Sequence, residues 1–201
     1  AQMGGYVIYV DGLIDLSEGK IPQNGNSDGL DKFISEISGG EFSSYAKFMQ
    51  AYGASCHANL DGSQDPKLAA LRKNLANEWK KLIVVPVASN TTIIGLGENS
   101  GIKGGSFLLK NVQNIAIRNM NILDAFDPFP DVQKNDGFNA QYDGVSIDSS
   151  KNIWVDHCHF KDTVDLSHVH LAGGELTKWQ TYDGLCDIKG DSAAITISHN
   201  I

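Results

Sequence analysis

Three aspartates in the second half of the chain have the residue type and spacing to do chemistry. Tyr142-Asp143-Gly144 and Tyr182-Asp183-Gly184 are near-copies, and Asp187 follows the second copy closely. If the copies occupy equivalent positions on stacked strands, Asp143 and Asp183 lie about 4.8 Å apart. Asp187 returns to the same face as Asp183 because side chains alternate along a strand. We therefore expect three carboxylates to face one groove.

Such a cluster predicts a site for Ca²⁺. Close carboxylates repel one another unless a cation compensates them, and oxygen ligands suit this hard cation, which tolerates irregular geometry and retains water. A single Asp-Gly pair is usually an ordinary solvated turn. The prediction therefore depends on the repetition and on Asp187, and it assigns Asp143, Asp183 and Asp187 as the metal ligands.

The overall charge restricts the partners. The net charge of −8 and the pI near 5.1 disfavour a nucleic-acid surface, because neutralising phosphates needs clustered Lys and Arg. An acidic protein can still bind an acidic polymer when a divalent cation lies between the two sets of carboxylates. The sequence has no apolar run of membrane-spanning length, and residues 1–5 lack the features of a signal peptide. We expect no membrane contact, and a secreted protein would already have been processed.

The elements that must position the aspartates repeat along the chain. A solenoid permits variable spacing between copies, because each coil must match its neighbour only where strands stack. Insertions should then collect on one face. Four strand-like segments resemble one another: Asn90-Thr-Thr-Ile-Ile-Gly, Asn114-Ile-Ala-Ile-Arg-Asn, Asn152-Ile-Trp-Val-Asp-His and Ala194-Ile-Thr-Ile-Ser-His.

A second series of strands precedes these segments: Phe107-Leu-Leu-Lys, Val145-Ser-Ile-Asp and Leu185-Cys-Asp-Ile. Two strands per coil in a constant order predict an all-β fold of the parallel β-helix type. An antiparallel β-sandwich is the alternative, since short strands separated by turn signals describe it too.

The chain before these repeats has a different pattern. Residues 6–15 predict a strand, a turn at Asp11-Gly12 and a second short strand. Residues 27–82 predict a helical insertion, clearest after Asp65, which can cap a helix that begins with Pro66. We expect the apolar stripe of this helix to pack onto the protein's own body, with a partner as the alternative. The stripe consists of Leu68, Leu71, Leu75, Trp79 and Leu82.

Cys56, Cys158 and Cys186 do not decide the redox compartment. Three cysteines are too few for a disulfide framework, and their spacing matches no zinc motif. One disulfide with a leftover thiol stays open as an alternative. The favoured interpretation of Cys158 and Cys186, which fall in strand-like runs, is that they are small core residues.

Two longer motifs resemble the polysaccharide lyase family that includes pectate and pectin lyases. Asp143-Gly-Val-Ser-Ile-Asp-Ser-Ser-Lys-Asn-Ile-Trp-Val-Asp-His157 resembles its Trp-x-Asp-His region. Asp183-Gly-Leu-Cys-Asp-Ile-Lys-Gly190, followed by Ala194-Ile-Thr-Ile-Ser-His-Asn200, is similar to its second signature. The resemblance covers residues 91–201 well and residues 4–15 loosely. It implies a right-handed parallel β-helix in a secreted, extracellular enzyme that cleaves polygalacturonate (pectate).

The resemblance also implies roles for single residues. Asp143, Asp183 and Asp187 match the family's calcium ligands, and Lys189 matches a lysine that contacts a substrate carboxylate. Pectin lyases act on neutral methyl esters without calcium and lack this acidic set, so its presence implies pectate as the substrate. Some members carry a further acidic ligand where this chain has Gln141.

The implied reaction is a β-elimination. The C5 proton of a uronide is α to a carboxylate, and calcium together with Lys189 would neutralise the charge that builds up as this proton leaves. In the family an arginine on a coil after the Ile-Thr-Ile-Ser strand takes the proton, and neither Arg72 nor Arg118 matches that position. We therefore expect residues 1–201 to be a single, incomplete domain, otherwise monomeric, that a downstream segment or a second chain completes.

Two other functions stay open. A non-catalytic β-helix that binds acidic polysaccharide through calcium would explain the missing arginine, whereas a glycoside hydrolase on the same fold would need a catalytic Asp pair insensitive to chelators. Asp156 and His157 resemble an acid–base pair, but a hydrogen-bonded structural role is the favoured interpretation. His168 and His170 are weak candidates for metal ligands, because a His-x-His sequence in a polar loop is usually exposed.

Overall fold

The strands form a parallel β-helix in which each coil supplies strands to three sheets. The computed structural model describes residues 5–57, 62–134 and 136–201. Sheet 1 contains β3 (Val84–Pro86), β6 (Ser106–Lys110), β11 (Val145–Asp148) and β16 (Cys186–Lys189). Sheet 2 contains β1 (Tyr6–Val10), β4 (Thr91–Gly95), β7 (Gln113–Arg118), β12 (Lys151–Asp156) and β17 (Ala193–Ser198). Sheet 3 contains β2 (Leu13–Asp15), β5 (Gly101–Lys103), β8 (Asn121–Leu123) and β13 (His159–Lys161).

Neighbouring strands are parallel in all three sheets. The predicted parallel β-helix is therefore confirmed, and the sandwich alternative is wrong. The second strand series is correct except at its last member, because Val145 pairs with Cys186 and not with Leu185. The sequence does not predict sheet 3, since three-residue strands leave too short a pattern to recognise.

Side chains that alternate inward and outward along the strands form a core between the three sheets. Ile93, Ile117 and Val155 are paired on successive coils of sheet 2, and each is at most 4% exposed. Val145 from sheet 1 and Ile122 from sheet 3 close the same core. Burying one such side chain contributes about 1.5–3 kcal/mol, so these stacked rows carry much of the stability of the coil.

A ladder of asparagines marks the start of the sheet 2 strands. Asn90, Asn114 and Asn152 have φ angles of 59°, 60° and 56°, a left-handed conformation that asparagine tolerates better than most residues. Asn114 Nδ2 donates to Asn90 Oδ1 (2.9 Å), and Asn152 Nδ2 donates to Asn114 Oδ1 (3.1 Å). The next coil has Ala194 in this position, with φ of 57°, so the ladder ends there.

Replacing Ala194 with asparagine should stabilise the fold by about 1 kcal/mol, because a left-handed alanine costs about 1–2 kcal/mol. The new amide can also donate to Asn152 and extend the ladder. The free energy of unfolding in urea is the measurement. The control is Ala193→Asn, one residue earlier, where φ is not positive; an equal gain at both positions would contradict the explanation.

Three helices occupy most of the predicted insertion, which confirms a helical insertion near the N-terminus. They are α1 (Asp28–Ile37), α2 (Tyr45–Ala54) and α3 (Pro66–Ile83). Asp65 caps α3 as predicted, its carboxylate accepting from the backbone N–H groups of Lys67 and Leu68. Residues 58–61 of the predicted insertion, and residue 4 of the N-terminal resemblance, lie outside the described residues.

The apolar stripe of α3 packs into a second core, outside the β-helix. Leu75 and Trp79 are fully buried there, and the remaining stripe residues pack at its edge. We call the buried rings of this core the aromatic cluster, and they belong to Phe33, Tyr45, Phe48, Tyr52, Trp79, Phe126, Phe129, Phe138, Tyr142 and Trp179. The stripe is thus buried within the chain itself, which confirms the favoured interpretation.

The other partners of the aromatic cluster are two long loops. They contain β9 (Asp131–Gln133), β10 (Gly137–Asn139), β14 (Ser167–His170) and β15 (Leu176–Trp179), which form a fourth, mixed sheet. Both loops and the three helices leave the coil at one corner, between sheet 3 and sheet 1. The expectation that insertions collect on one face is therefore confirmed.

All three cysteines are free. Cys56 is buried in the second core, Cys158 is buried in the β-helix core, and Cys186 packs partly buried against the β-helix core. The interpretation of Cys158 and Cys186 as small core residues is therefore correct. In the described ranges, no helix combines the length and the apolar composition that a membrane crossing requires.

Candidate metal-binding groove

Asp143 lies shortly before β11, at the end of a loop that returns from the aromatic cluster to sheet 1. The residue is 2% exposed. Its Oδ1 accepts a hydrogen bond from the backbone N–H of Gly184 (3.1 Å), and a Cβ at position 184 would lie only 2.8 Å from this oxygen. Its Oδ2 is buried without a hydrogen-bond partner among the described residues. A buried carboxylate oxygen in this situation is costly unless a nearby charge balances it.

Asp187 and Lys189 lie two residues apart on β16 and therefore share a face of sheet 1. Their partners in register on β11 are Ser146 and Asp148, which alternate with core residues. Lys189 Nζ lies 3.1 Å from Asp187 Oδ2 and 3.8 Å from Asp143 Oδ2. One ammonium group thus lies between two of the predicted ligands.

Asp183 does not occupy the position equivalent to Asp143, which corrects the prediction from the two Tyr-Asp-Gly copies. Val145 N donates to Leu185 O in the parallel ladder, so Asp143 aligns with Gly184. The coil that contains β16 has one more residue between its aspartate and its strand than the coil that contains β11. This additional residue shifts Asp183 one position out of register. Asp183 lies exposed in the loop before β16.

Burial and neighbouring charges shift the pKa values of the groove residues. Burial raises the pKa of Asp143, although the Ser146 hydroxyl, a backbone N–H and Lys189 act in the opposite direction. Burial, followed by the charge of Asp143, raises the pKa of Asp183. Burial alone would lower the pKa of Lys189, but its hydrogen bond to Asp187 and the surrounding carboxylates raise it. Burial is thus the main cause of both raised carboxyl pKa values, and Lys189 offsets it only in part.

These oxygens fit a hard divalent cation, since they are carboxylate oxygens and no described residue donates a hydrogen bond to the buried Asp143 Oδ2. The three aspartates are not drawn into a tight cluster, and Lys189 lies between two of them instead. His168 and His170 do not belong to any three-residue ligand group among the described residues. The group in which three potential ligand atoms lie within 4.8 Å of one another is Asp156, His157 and His199.

Asp156 is a structural carboxylate at the end of β12. It is 1% exposed, and its oxygens contact Arg118 Nε (3.1 Å), Ser198 Oγ (2.7 Å), and Nδ1 of His157 and His199 (2.8 and 3.1 Å). Burial alone would raise the pKa of Asp156, but these hydrogen bonds hold it well below its usual range. Both oxygens accept hydrogen bonds, which supports the hydrogen-bonded structural role.

A second charged row lies beside the aspartates. Lys110, Asp148 and Lys189 pair in register on β6, β11 and β16. Lys110 Nζ lies 2.7 Å from Asp148 Oδ2, and Asp148 Oδ1 accepts from Ser149 Oγ (2.8 Å). Sequence reasoning misses this row, although Lys110 and Asp148 end two of the stacked segments and that shared position was the available signal.

Both arginines of the sequence are engaged outside the groove. Arg72 in α3 is 8% exposed and bonds Asp131 Oδ2 at 2.6 Å. Arg118 pairs with Asp156 and lies 4.4 Å from the centre of the Trp154 ring. Neither guanidinium is positioned to act on a molecule bound beside Asp143.

Comparisons with known proteins agree with the fold. A family sequence model described as "Pectate lyase" matches residues 28–201. The pectate lyase of Bacillus subtilis (strain 168) is 32% identical over 202 residues, which cover 96% of this chain and 44% of that protein. The solved pectate lyase from Acidovorax avenae subsp. citrulli has a TM-score of 0.73 at 28% identity, covering 90% of this chain and 42% of that one. A pectate lyase bound to a hexasaccharide has a TM-score of 0.70 at 29% identity, covering 94% of this chain and 46% of that one. The chain thus spans less than half the length of these relatives.

Proposed function

This chain belongs to the pectate lyase family, and we propose that the protein takes part in calcium-dependent β-elimination cleavage of polygalacturonate outside the cell. The observation that carries the proposal is the buried Asp143 Oδ2, which has no hydrogen-bond partner among the described residues and has a lysine ammonium 3.8 Å away. A relative bound to a hexasaccharide supports a saccharide polymer as the ligand.

In this proposal Asp143, Asp183 and Asp187 hold the calcium ion. When bound, the ion would neutralise negative charge that develops on the substrate carboxylate. Asp143 offers a desolvated oxygen, whereas Asp183 and Asp187 offer more accessible ones from the next coil. Because β11 and β16 are adjacent strands of one parallel ladder, backbone hydrogen bonds fix the distance between Asp143, shortly before β11, and Asp187 on β16.

Lys189 is the proposed contact for the substrate carboxylate. Its side chain is 50% exposed, so the ammonium is accessible from the groove. A charge-assisted hydrogen bond from this ammonium to a uronate carboxylate is stronger than a neutral one, and it favours loss of the α proton by stabilising the resulting charge. The elimination needs neither a water nucleophile nor the paired carboxylates of a glycoside hydrolase.

The proton acceptor is not assigned among the groove residues described. Asp143 and Asp187 interact with Lys189, and Arg72 and Arg118 are engaged elsewhere. That an arginine outside residues 1–201 takes the proton stays a prediction. The match to only 44% of the Bacillus subtilis relative is compatible with it.

Chelation should abolish the lyase activity of the purified protein, and added calcium should restore it. The loss should reach roughly 10²-fold or more, because the developing charge then loses its main electrostatic stabilisation. The ultraviolet absorbance of the unsaturated product from polygalacturonate is the measurement. Magnesium is the control ion and should restore little, since it demands stricter octahedral geometry. Full activity after exhaustive chelation would refute the calcium mechanism.

The engagement of both arginines outside the groove favours a second candidate function, non-catalytic binding of acidic polysaccharide through calcium. The two functions differ in one measurement. Calcium-dependent retention of polygalacturonate without any unsaturated product would identify a binding protein, whereas product formation identifies the lyase.

A further inference from the structure

Lys189 has turned away from its partner in register. That partner is Asp148 on β11, yet Lys189 Nζ lies 3.1 Å from Asp187 Oδ2 on its own strand and 3.8 Å from Asp143 Oδ2 on the preceding coil. Asp143 Oδ2 has no hydrogen bond among the described residues. The ammonium of Lys189 is therefore a positive charge that this oxygen faces directly.

Lys110 gives the physical reason for this direction. Its ammonium lies 2.7 Å from Asp148 Oδ2, and Ser149 Oγ occupies Asp148 Oδ1. Asp148 is thus already paired, so a second ammonium gains less by approaching it. Asp187, and Asp143 Oδ2 without a hydrogen bond from any described residue, attract Lys189 more strongly.

We propose that Lys189 is an internal counter-cation, which occupies the space between Asp143 and Asp187 and which a divalent cation must displace in order to bind. The inference rests on the proposed function, because it takes the same aspartates as metal ligands. Displacement moves the ammonium out to the groove surface, where an anionic sugar carboxylate can bind it. Cation binding and substrate binding are therefore coupled through one side chain, which is free for substrate only after the cation has replaced it.

Lys189 and a divalent cation should compete for the same carboxylates because of their distances and their like charges. An ammonium 3.1 Å from Asp187 uses an oxygen that the cation needs, and two cations a few ångströms apart repel each other. A lysine that served only as a substrate contact, and lay clear of the carboxylates, would affect the calcium affinity only through a weak, screened repulsion when no polysaccharide is present. The two roles therefore differ in an experiment without substrate.

The test is a calorimetric calcium titration of the purified protein and its Lys189→Met variant, without polysaccharide. Methionine keeps a flexible apolar chain and removes the charge. Lys189→Met should bind calcium on the order of tenfold more tightly, because its carboxylates no longer hold a competing charge. Lys151→Met is the matched control, since Lys151 is exposed at the start of β12 and makes no ion pair with any described residue. This control should stay within about twofold of the wild type, because only a distant, screened charge changes.

Thermal unfolding provides a second readout. Without calcium, Lys189→Met should unfold at a lower temperature than the wild type, because the carboxylates then have no compensating charge. With saturating calcium this deficit should vanish, so the calcium-induced rise in the midpoint should be larger in the variant.

The possible outcomes separate the inference from the proposed function. Tighter calcium binding confined to Lys189→Met, with the larger midpoint shift, supports the inference. Equal affinities in the wild type and Lys189→Met, or equal tightening in both variants, would overturn the inference and leave the calcium site standing. An absence of calcium binding in every variant would overturn the calcium site and the inference together.

Discussion

Replacing Asp143 with asparagine should weaken calcium binding and lyase activity by about a hundredfold, because it removes the charge of the most buried proposed ligand. The fold should survive, since asparagine has nearly the same shape as aspartate and Asp143 Oδ2 is unpaired among the described residues. Without calcium the variant should be as stable as the wild type or more stable, because a desolvated charge is removed. Titration calorimetry and urea unfolding measure the two effects.

The effect of Asp143→Asn on the stability of the calcium-free protein should depend on pH in one direction. The pKa of Asp143 is raised in the folded protein, so its contribution to stability is fully present below the unfolded pKa of about 3.9 and is lost as the pH rises through the folded pKa. Asp143→Asn removes this loss. The advantage of the variant over the calcium-free wild type should therefore grow from pH 4 towards neutrality.

Asp191→Asn is the control for this substitution. Asp191 is exposed in the turn after β16, so its replacement changes the net charge equally without touching the groove. It should alter neither calcium affinity nor stability appreciably. Similar losses of calcium affinity in both variants would show that net charge, and not the position of Asp143, determines binding.

Truncating Trp79 to alanine should cost about 3–5 kcal/mol of unfolding free energy. The indole is completely buried, lies edge-on to Phe33 at 5.6 Å and to Phe129 at 6.3 Å, and donates from Nε1 to Phe126 O (2.8 Å). The variant would leave a cavity and an unsatisfied carbonyl. Unfolding in urea, followed by circular dichroism, measures the loss.

Trp154→Ala is the matched control for Trp79. Trp154 is 40% exposed on sheet 2, so its truncation should cost about 1 kcal/mol. Equal losses in the two variants would show that the aromatic cluster contributes no more than the surface does. The Trp79 variant should also bind calcium less tightly, because Phe126 and Phe129 belong to the loop that ends at Asp143.

Asp127 stabilises the loop of residues 124–144, which ends at Asp143. It is 2% exposed, and its carboxylate accepts from the backbone N–H groups of Phe129 (2.9 Å) and Gln141 (3.0 Å). These bonds join the start and the end of the loop just before Asp143. Burial raises the pKa of Asp127 to about 6, so a charged Asp127 depends on both backbone donors at neutral pH.

The sequence predicts those features that leave a local pattern. The repeated Asn and Ile positions specify the stacking of sheet 2, since a one-residue slip would turn the core residues outward. Asp65 and Pro66 locate the start of α3 because capping is decided within one turn. Both features depend on residues close together in the chain.

Features that depend on distant residues could not be predicted in the same way. Asp183 is out of register with Asp143 because the coil that contains β16 has one additional residue before its strand. The hydrogen bond from Val145 N to Leu185 O reveals this register. The pairing of Lys110 with Asp148, and the turn of Lys189 towards Asp187, result from competition among charges on three coils. No single segment contains that information.

The shared corner between sheet 3 and sheet 1 separates segments of variable length from the strand ladder, whose spacing is constant. The corner segments comprise residues 16–83, 104–105, 124–144 and 162–185, and they differ widely in length. Because doubling the length of a flexible loop costs only about 0.6 kcal/mol, the parts of these segments that lie outside the aromatic cluster can be lengthened or shortened at little cost. The strand ladder meanwhile keeps Asp187 at a constant height above Ser146. Grafting loops at this corner, with Asp143 and Asp183 kept at the ends of their segments, is therefore a route to new polymer preferences that leaves Asp187 and Lys189 of β16 in place.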